Sequence, residues 1–265
     1  METGQTVNER QKAFYNTKKK NLPTKIWSFI RGGLLNKMRK QLGVQQQTYE
    51  THKQWLGEIS KMKVLDLGCF SGNYLTLYLA ENSANYIGID LSDVAIKKLS
   101  EKLAHIPTAR AIAIDFLSDE FTESNFDIIY AYGVLHHFKD TDGLITRLKS
   151  KLKPDGIVIS YDPLQTSLPL KIMRWLYRPF QSDAAWEWPF TKKIYFKFEK
   201  AFTVNERRGV LGKSKWVFLL NFLPLSAKKK IKIAKNWHQT DWEFSKTSDK
   251  HLFRCMHITM LLKNS

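Results

Sequence analysis

Long apolar runs, cysteine and acidic charge are all scarce in this chain of 265 residues. No uninterrupted apolar stretch approaches the roughly 18 residues of a spanning helix. The polar start METGQTVNERQ carries no apolar signal core. The expectation is a cytoplasmic chain, or one that attaches peripherally to a membrane without crossing it. Cys69 and Cys255 are too few for a disulfide framework, and neither has a CxxC or His-rich neighbourhood, so no metal site is expected. Internal repeats and long low-complexity linkers are also missing, which fits one domain better than an array.

What is abundant is basic and apolar. Lysine and arginine number 42 against 25 acidic residues, a net charge of +17, which implies attraction to nucleic acid, a phospholipid surface or an acidic substrate. A hydrophobic content of 43% is enough to bury a substantial core.

From Lys63 onward short β-branched runs alternate with helical patterns, the signature of a parallel sheet with crossover helices. KVLDL, NYIGID, ARAIAID, FDIIYAY and GIVISYD read as five strands in order. Gly72 to Glu81, Ser92 to Lys102 and Thr141 to Lys151 read as helices, with the Ser92 hydroxyl as N-cap. LKPDG, at 152–156, reads as a turn in which Gly156 takes positive φ. FRCMHITMLLK reads as a closing strand with FTVNERRGVL as its antiparallel partner.

The stretch VLDLGCFSGNYL lies at the first strand-to-helix turn, the usual ligand contact of an open α/β sheet. It is not a P-loop, since no Gly-Lys-Ser/Thr follows, and it lacks the G-x-G-x-x-G of a dinucleotide site. Asp66 stands where a pyrophosphate would be repelled, so the loop suits a cationic ligand. Asp90 ends the second strand, where an acid meets ribose hydroxyls in such folds. Asp115 ends the third, where a carboxylate can accept from an exocyclic amine. An ammonium, a ribose diol and an adenine amine on one molecule would satisfy all three, and S-adenosylmethionine is such a molecule.

With these fragments the chain resembles the class I S-adenosylmethionine-dependent methyltransferases, over roughly Met62 to Asp162 and more weakly at the two C-terminal strands. VLDLGCFSG, YIGIDLS, AIAIDF, FDIIYAYGVLHHF and LKPDGIVIS carry the resemblance in the family's order and spacing. It implies a Rossmann-like three-layer α/β sandwich: a mostly parallel seven-stranded sheet with an antiparallel last strand. N-terminal helices over 1–62 would cap the methyltransferase domain at 63–265, and 164–250 would hold basic aromatic insertions. It further implies cofactor contacts from Asp66, Gly68, Cys69 and Gly72 around the methionine part, Asp90 and Leu91 at the ribose, Asp115 and the Phe116 amide at the adenine, and Tyr132. Phe70 departs from the glycine frequent in the family and must keep its side chain off the cofactor.

Methyl transfer needs an acceptor held in line and, for some acceptors, a base. His137, and after it His136, are the candidates, because imidazole takes a proton near neutral pH. In many relatives one imidazole of LHH is bonded to the scaffold. Tyr15, Trp186 and Trp188 are candidate acceptor-binding residues, with Glu187 between the tryptophans. YAYGV replaces the Asn/Asp-Pro-Pro-Tyr/Phe motif of many amino-methylating nucleic-acid enzymes, and no cysteine stands in the fourth- or fifth-strand motifs to attack a pyrimidine ring. The expected acceptor is a small or lipid-like molecule methylated on oxygen or nitrogen; an RNA methyltransferase and a non-catalytic binding factor are the alternatives.

In WVFLLNFLPL apolar residues fill nearly every position between lysines, as in an interfacial segment. Two readings stay open for the insertion. It packs Trp175, Trp216 and Phe222 as a lid over the acceptor site without membrane contact, or as a lid that also touches an anionic membrane surface or a lipid-like acceptor, with RNA contact a third and lesser option.

Overall fold

The computed structural model describes residues 4–17, 22, 25, 37–181 and 186–264. Part of the segment 1–62 expected above to hold N-terminal helices, including most of the stretch KIWSFIRGGLLNKM with its apolar residues at helical spacing, lies outside them.

Helix α1 (Gly4–Thr17) comes first, followed by α2 (Lys37–Leu42) and α3 (Val44–Leu56). Then strands and helices alternate: β1 (Lys63–Leu67), α4 (Thr76–Asn82), β2 (Asn85–Asp90), α5 (Asp93–Leu103), β3 (Ala109–Ala113), β4 (Phe126–Tyr132), α6 (Thr141–Lys151) and β5 (Leu152–Pro163). The remainder is α7 (Leu168–Tyr177), α8 (Lys192–Ala201), β6 (Thr203–Val210), α9 (Ala227–Thr247), α10 (Asp249–Leu252) and β7 (His257–Lys263). Short 3₁₀ stretches cover Leu135–His137 and Lys213–Phe222.

The sheet has seven strands in the order β3-β2-β1-β4-β5-β7-β6. The first five run parallel, and β7 is antiparallel to both β5 and β6. Strand order reverses between β1 and β4, which opens a crevice at their carboxyl ends. The central parallel strands β1, β2 and β4 are buried on both faces because helices cover each side, which is why they read as near-continuous apolar runs, whereas β3 at the sheet edge is only partly covered.

One core layer packs Leu65, Ile87, Ile129 and Val158 under α6 and α8; the opposite layer packs Val64, Tyr86, Ile128 and Tyr130 under α3, α4 and α5. Helix α3, within the segment expected to cap the domain, is part of the core: Tyr49 and Leu56 are buried in it. Its His52 is fully buried between the Tyr130 hydroxyl at 3.1 Å and the Thr259 hydroxyl at 2.7 Å. Burial pushes this imidazole down to about 3, so it stays neutral.

The Ser92 cap forms as expected, with its hydroxyl accepting from the Ala95 amide at 3.1 Å, a contact worth about 1 kcal/mol. Two local expectations are corrected. Helix α4 starts at Thr76 and not at Gly72, because Asn73 folds a turn ahead of it: its amide donates to the Thr76 hydroxyl and its side-chain oxygen accepts from the Leu75 amide. The LKPDG segment belongs to β5, with a register shift opposite Phe126 and Ile128, and the residue with positive φ is Asp155 at 63°, not Gly156.

Candidate functional site

A cavity of about 700 Å³ lies at the crevice between β1 and β4. Its floor comes from the strand ends of β1, β2 and β3. As β1 ends, Gly68 adopts φ 70°, and a Cβ there would meet the Val134 side chain at 2.4 Å, so only glycine allows this close approach. The Gly68 and Cys69 amides donate to the Ile89 carbonyl at 2.8 and 3.1 Å, tying the loop to β2. Phe70 sits at φ 47°, a strained conformation for a side-chain-bearing residue, and its amide donates to Asp90 Oδ2 at 3.0 Å. The Phe70 ring is part of the cavity wall and packs on Tyr15, with centroids 6.2 Å apart, so it is not turned away from the site.

The three acids are held differently. Asp66 lies beneath the floor, 1% exposed, with Oδ2 accepting from the Thr76 and Tyr86 hydroxyls. Its Oδ1 is buried with no hydrogen-bond partner among the described residues. Burial raises its carboxyl to about 7. Asp90 lines the cavity and accepts amide hydrogens from Phe70 and, at 2.8 Å, from Ser92; burial raises it, and these amides offset part of the rise. Asp115 lines the cavity too, accepting from the Leu117 amide at 2.9 Å through Oδ1. Ile89, Ile114 and Phe116 give an apolar slot between these two acids.

The roof is α1. Its Asn8 amide donates to Asp115 Oδ2 at 2.6 Å, and Gln11, 7% exposed, also faces the cavity. Near its end, Asn16 donates to Asp93 and accepts from the Ser92 hydroxyl, while Lys12 pairs with Asp93 at 3.3 Å. Phe14 packs on Trp186 with centroids 5.4 Å apart.

The wall opposite the floor is the 3₁₀ turn after β4, where the two adjacent histidines have opposite placements. His136 is buried; its Nδ1 lies 2.9 Å from Asp162 Oδ1, its amide donates to the same oxygen, and its carbonyl accepts from the Trp188 amide at 2.7 Å. Asp162 is itself fully buried, which raises its carboxyl to about 7. His137 lines the cavity. Its Nδ1 is 2.8 Å from the Trp186 carbonyl, which can only accept, so Nδ1 carries the hydrogen. In the neutral ring Nε2 then holds the lone pair, and the Tyr15 hydroxyl donates to it at 3.3 Å.

Of the residues expected in the site, Gly68, Asp90, Leu91, Asp115, Phe116, Tyr132, His137, Tyr15 and Trp188 line one cavity. Tyr132 is stacked between Tyr49 and Tyr161, at 5.1 and 4.7 Å. Asp66, Cys69, Gly72, His136 and Trp186 do not line it. They support it from below or behind: the Gly72 amide, for instance, closes the loop onto the Cys69 carbonyl at 2.9 Å. Glu187 also lies off the cavity and accepts from Gln181 at 2.6 Å. The expectation of a lid formed by Trp175, Trp216 and Phe222 is corrected: all three are exposed to solvent and none lines the cavity, which α1 covers instead. Asn8 and Gln11 were missed in the sequence, although their spacing with Tyr15 at positions 8, 11 and 15 puts one polar stripe on one helix face.

Comparison with known proteins follows the same outline. The family profile described as "Methyltransferase domain" matches residues 44–196. The chain is 26% identical over 188 residues to the demethylmenaquinone methyltransferase of Staphylococcus aureus, covering 60% of this chain and 78% of that protein. It is 31% identical over 97 residues to the tRNA U34 carboxymethyltransferase of Pseudoalteromonas atlantica, covering 36% of this chain and 30% of that protein. The chain spans less than half the length of several curated relatives it matches. In structure it is similar to the magnesium protoporphyrin IX methyltransferase of Synechocystis with bound S-adenosylhomocysteine, with TM-score 0.59 and 16% identity over 98% of this chain and 100% of that one.

Proposed function

The chain belongs to the methyltransferase-domain family of class I S-adenosylmethionine-dependent enzymes, and on that premise we propose that it transfers a methyl group to an oxygen or nitrogen of a small or lipid-like acceptor. The observation that carries the acceptor chemistry is His137, whose tautomer is set by the Trp186 carbonyl so that Nε2 faces the cavity as a proton acceptor.

The residues present fit the donor. Asp90, held by two backbone amides at the cavity floor, suits a ribose diol, and Asp115 with the Phe116 amide suits an adenine edge. The apolar slot of Ile89, Ile114 and Phe116 suits the planar base. The loop from Asp66 through Gly68 to Gly72 would cradle the methionine part, and the unpaired Asp66 Oδ1 leaves a buried acceptor that a positive charge nearby would stabilise. When bound, S-adenosylmethionine supplies an activated methyl on a sulfonium. The protein's own share is then to hold the acceptor in line, exclude water under α1, and take a proton at His137 Nε2, a step worth about 10²- to 10⁴-fold in rate. Tyr15 orients that nitrogen, and Trp188 forms part of the acceptor wall.

The relative from Staphylococcus supports a quinone-type acceptor as a class, not the acceptor atom, since the methyl that distinguishes menaquinone from demethylmenaquinone is on carbon, and the apolar cavity walls accommodate such a ring. RNA is the second reading, favoured by the net charge and by the tRNA enzyme among the relatives. Incubating the protein with methyl-labelled S-adenosylmethionine and fractionated cell extract separates them. Label in the organic or small polar fraction supports the proposal; label in the fraction sensitive to ribonuclease replaces it with the RNA reading.

A further inference from the structure

Helix α7 carries several apolar residues on the outside, although its Leu170 is buried. Leu168, Ile172, Trp175 and Leu176 fall at the i, i+4, i+7, i+8 spacing of one helix face and are 69%, 50%, 74% and 59% exposed. The 3₁₀ stretch Lys213–Phe222 and the residues after it do the same, with Leu219, Phe222 and Leu223 at 47%, 82% and 48%. Monomeric soluble proteins rarely leave such residues clustered in water. Both segments leave the sheet at the same end, because Pro163, at the end of β5, and Val210, at the end of β6, are each in register with His257. That is also the end at which the cavity opens, since Tyr132 at the end of β4 pairs with Tyr161.

Charge decides what these residues face. Residues 164–181 contain three Lys or Arg and residues 211–240 contain seven, and neither span contains Asp or Glu. Of the seven, Lys215 is turned inward to the Arg254 carbonyl, while Lys213, Lys228, Lys229, Lys232 and Lys235 are exposed. A second copy of the chain would bring the same positive charge to the contact. Trp175 and Phe222 could each stack on a base, but the exposed leucines and isoleucine that make up most of the face offer a base nothing to stack on; they suit the acyl boundary of a bilayer, with tryptophan at headgroup depth. We propose that α7 and the segment from Lys213 through the start of α9 form a docking face for an anionic phospholipid bilayer, seating the open end of the cavity next to the membrane. Among the described residues no helix is long and apolar enough to cross a membrane, so the attachment is peripheral and reversible. This inference stands on the surface alone and does not depend on the methyl-transfer reading.

Flotation of the full chain with vesicles tests it, using phosphatidylcholine alone and phosphatidylcholine with about one third phosphatidylglycerol, at low and high salt. The expected result is binding to the anionic vesicles at low salt, with little on the neutral ones. Each lysine near the surface contributes roughly fivefold, so Lys228→Gln, Lys229→Gln and Lys230→Gln together should weaken binding by about 100-fold. The pair Trp175→Asp and Phe222→Asp, both at exposed positions, should weaken it at least tenfold while thermal unfolding stays as in the wild type. Quenching of tryptophan fluorescence by lipids brominated in the acyl chain, lost in Trp175→Phe, would mark insertion of the apolar face. The proposal is overturned if the wild type does not float with anionic vesicles, or if the aspartate pair binds as well as the wild type. It is equally overturned if the same substitutions abolish self-association or RNA binding in a protein that ignores vesicles.

Discussion

The floor and the roof of the cavity are built at different distances along the chain. On the floor, the Phe70 amide reaches Asp90 and the Tyr86 hydroxyl reaches Asp66, each across 20 residues. In the roof, Asn8 reaches Asp115 across 107 residues and Tyr15 reaches His137 across 122. The floor is welded to a parallel sheet whose strands bury both faces, so its geometry is as stable as the core. The roof rests on a few side-chain contacts, each worth about 1 kcal/mol.

The sharpest way to separate the two is at His137, on the wall between them. His137→Ala should lower turnover by about 100-fold or more while changing cofactor affinity little, the scale of a lost general base. Single-turnover rates alongside calorimetry check this, and near-normal rates would reduce His137 to a wall residue. Asp90→Ala acts on the floor alone. Losing a charged acceptor for the ribose should weaken S-adenosylmethionine and its demethylated product alike by roughly 10- to 100-fold. If calorimetry finds equal affinity, the floor is not the ribose site.

Asp66 tests how deeply the floor belongs to the core. Its folded carboxyl titrates near 7 against an unfolded value of 3.8. Below pH 4 the group is neutral in both states and costs nothing. Between pH 4 and 7 the unfolded state ionises first, so stability falls as pH rises, and the loss is complete above about 7. Asp66→Asn should flatten that part of the stability profile, by a difference on the order of 2–3 kcal/mol between pH 5 and pH 8. Denaturant melts at the two pH values measure it, and an unchanged slope would show that Asp66 ionises freely in the fold.

The smallest effect is expected in the roof. Asn8 donates to the carboxylate proposed to read the adenine, so the two donors compete for Asp115. Asn8→Ala should tighten cofactor binding by about two- to fivefold, below 1 kcal/mol. Weaker binding would instead make Asn8 a ligand contact that works together with Asp115.

Much of the floor was legible because each of its signals is local. β-Branched runs mark β1 to β5, a serine ahead of a helical pattern marks the start of α5, and an acid at each strand end marks where a ligand would be met. The errors inside this region are local as well. Asn73 captured the amide expected to open α4, and Asp155 took the left-handed conformation expected of Gly156, a choice between two neighbours that composition does not settle. The roof was legible only in outline: N-terminal helices were expected to cap the domain and Tyr15 to reach the acceptor, but a polar stripe at positions 8, 11 and 15 looks like any solvated helix face, so Asn8 and Gln11 did not stand out. The adjacent histidines were equally ambiguous: alternation says that two neighbours differ in direction but not which one meets a buried carboxylate and which one the cavity.

The sequence by itself therefore determined the five strands from β1 to β5 along the chain, the glycine loop, the acids at the strand ends and the family they imply. These depend on hydrogen bonds and alternation within some 25 residues, and such short-range constraints leave a pattern in the order of residues. The tertiary structure alone decided that Asn8 and Gln11 of α1 face the cavity, that Trp186 sets the tautomer of His137, and that Leu168, Ile172, Trp175 and Leu176 of α7 point outward. Those outcomes depend on which distant surfaces meet once the chain closes. An amphipathic helix has the same sequence pattern whether its apolar face is covered by the core or left for something outside it.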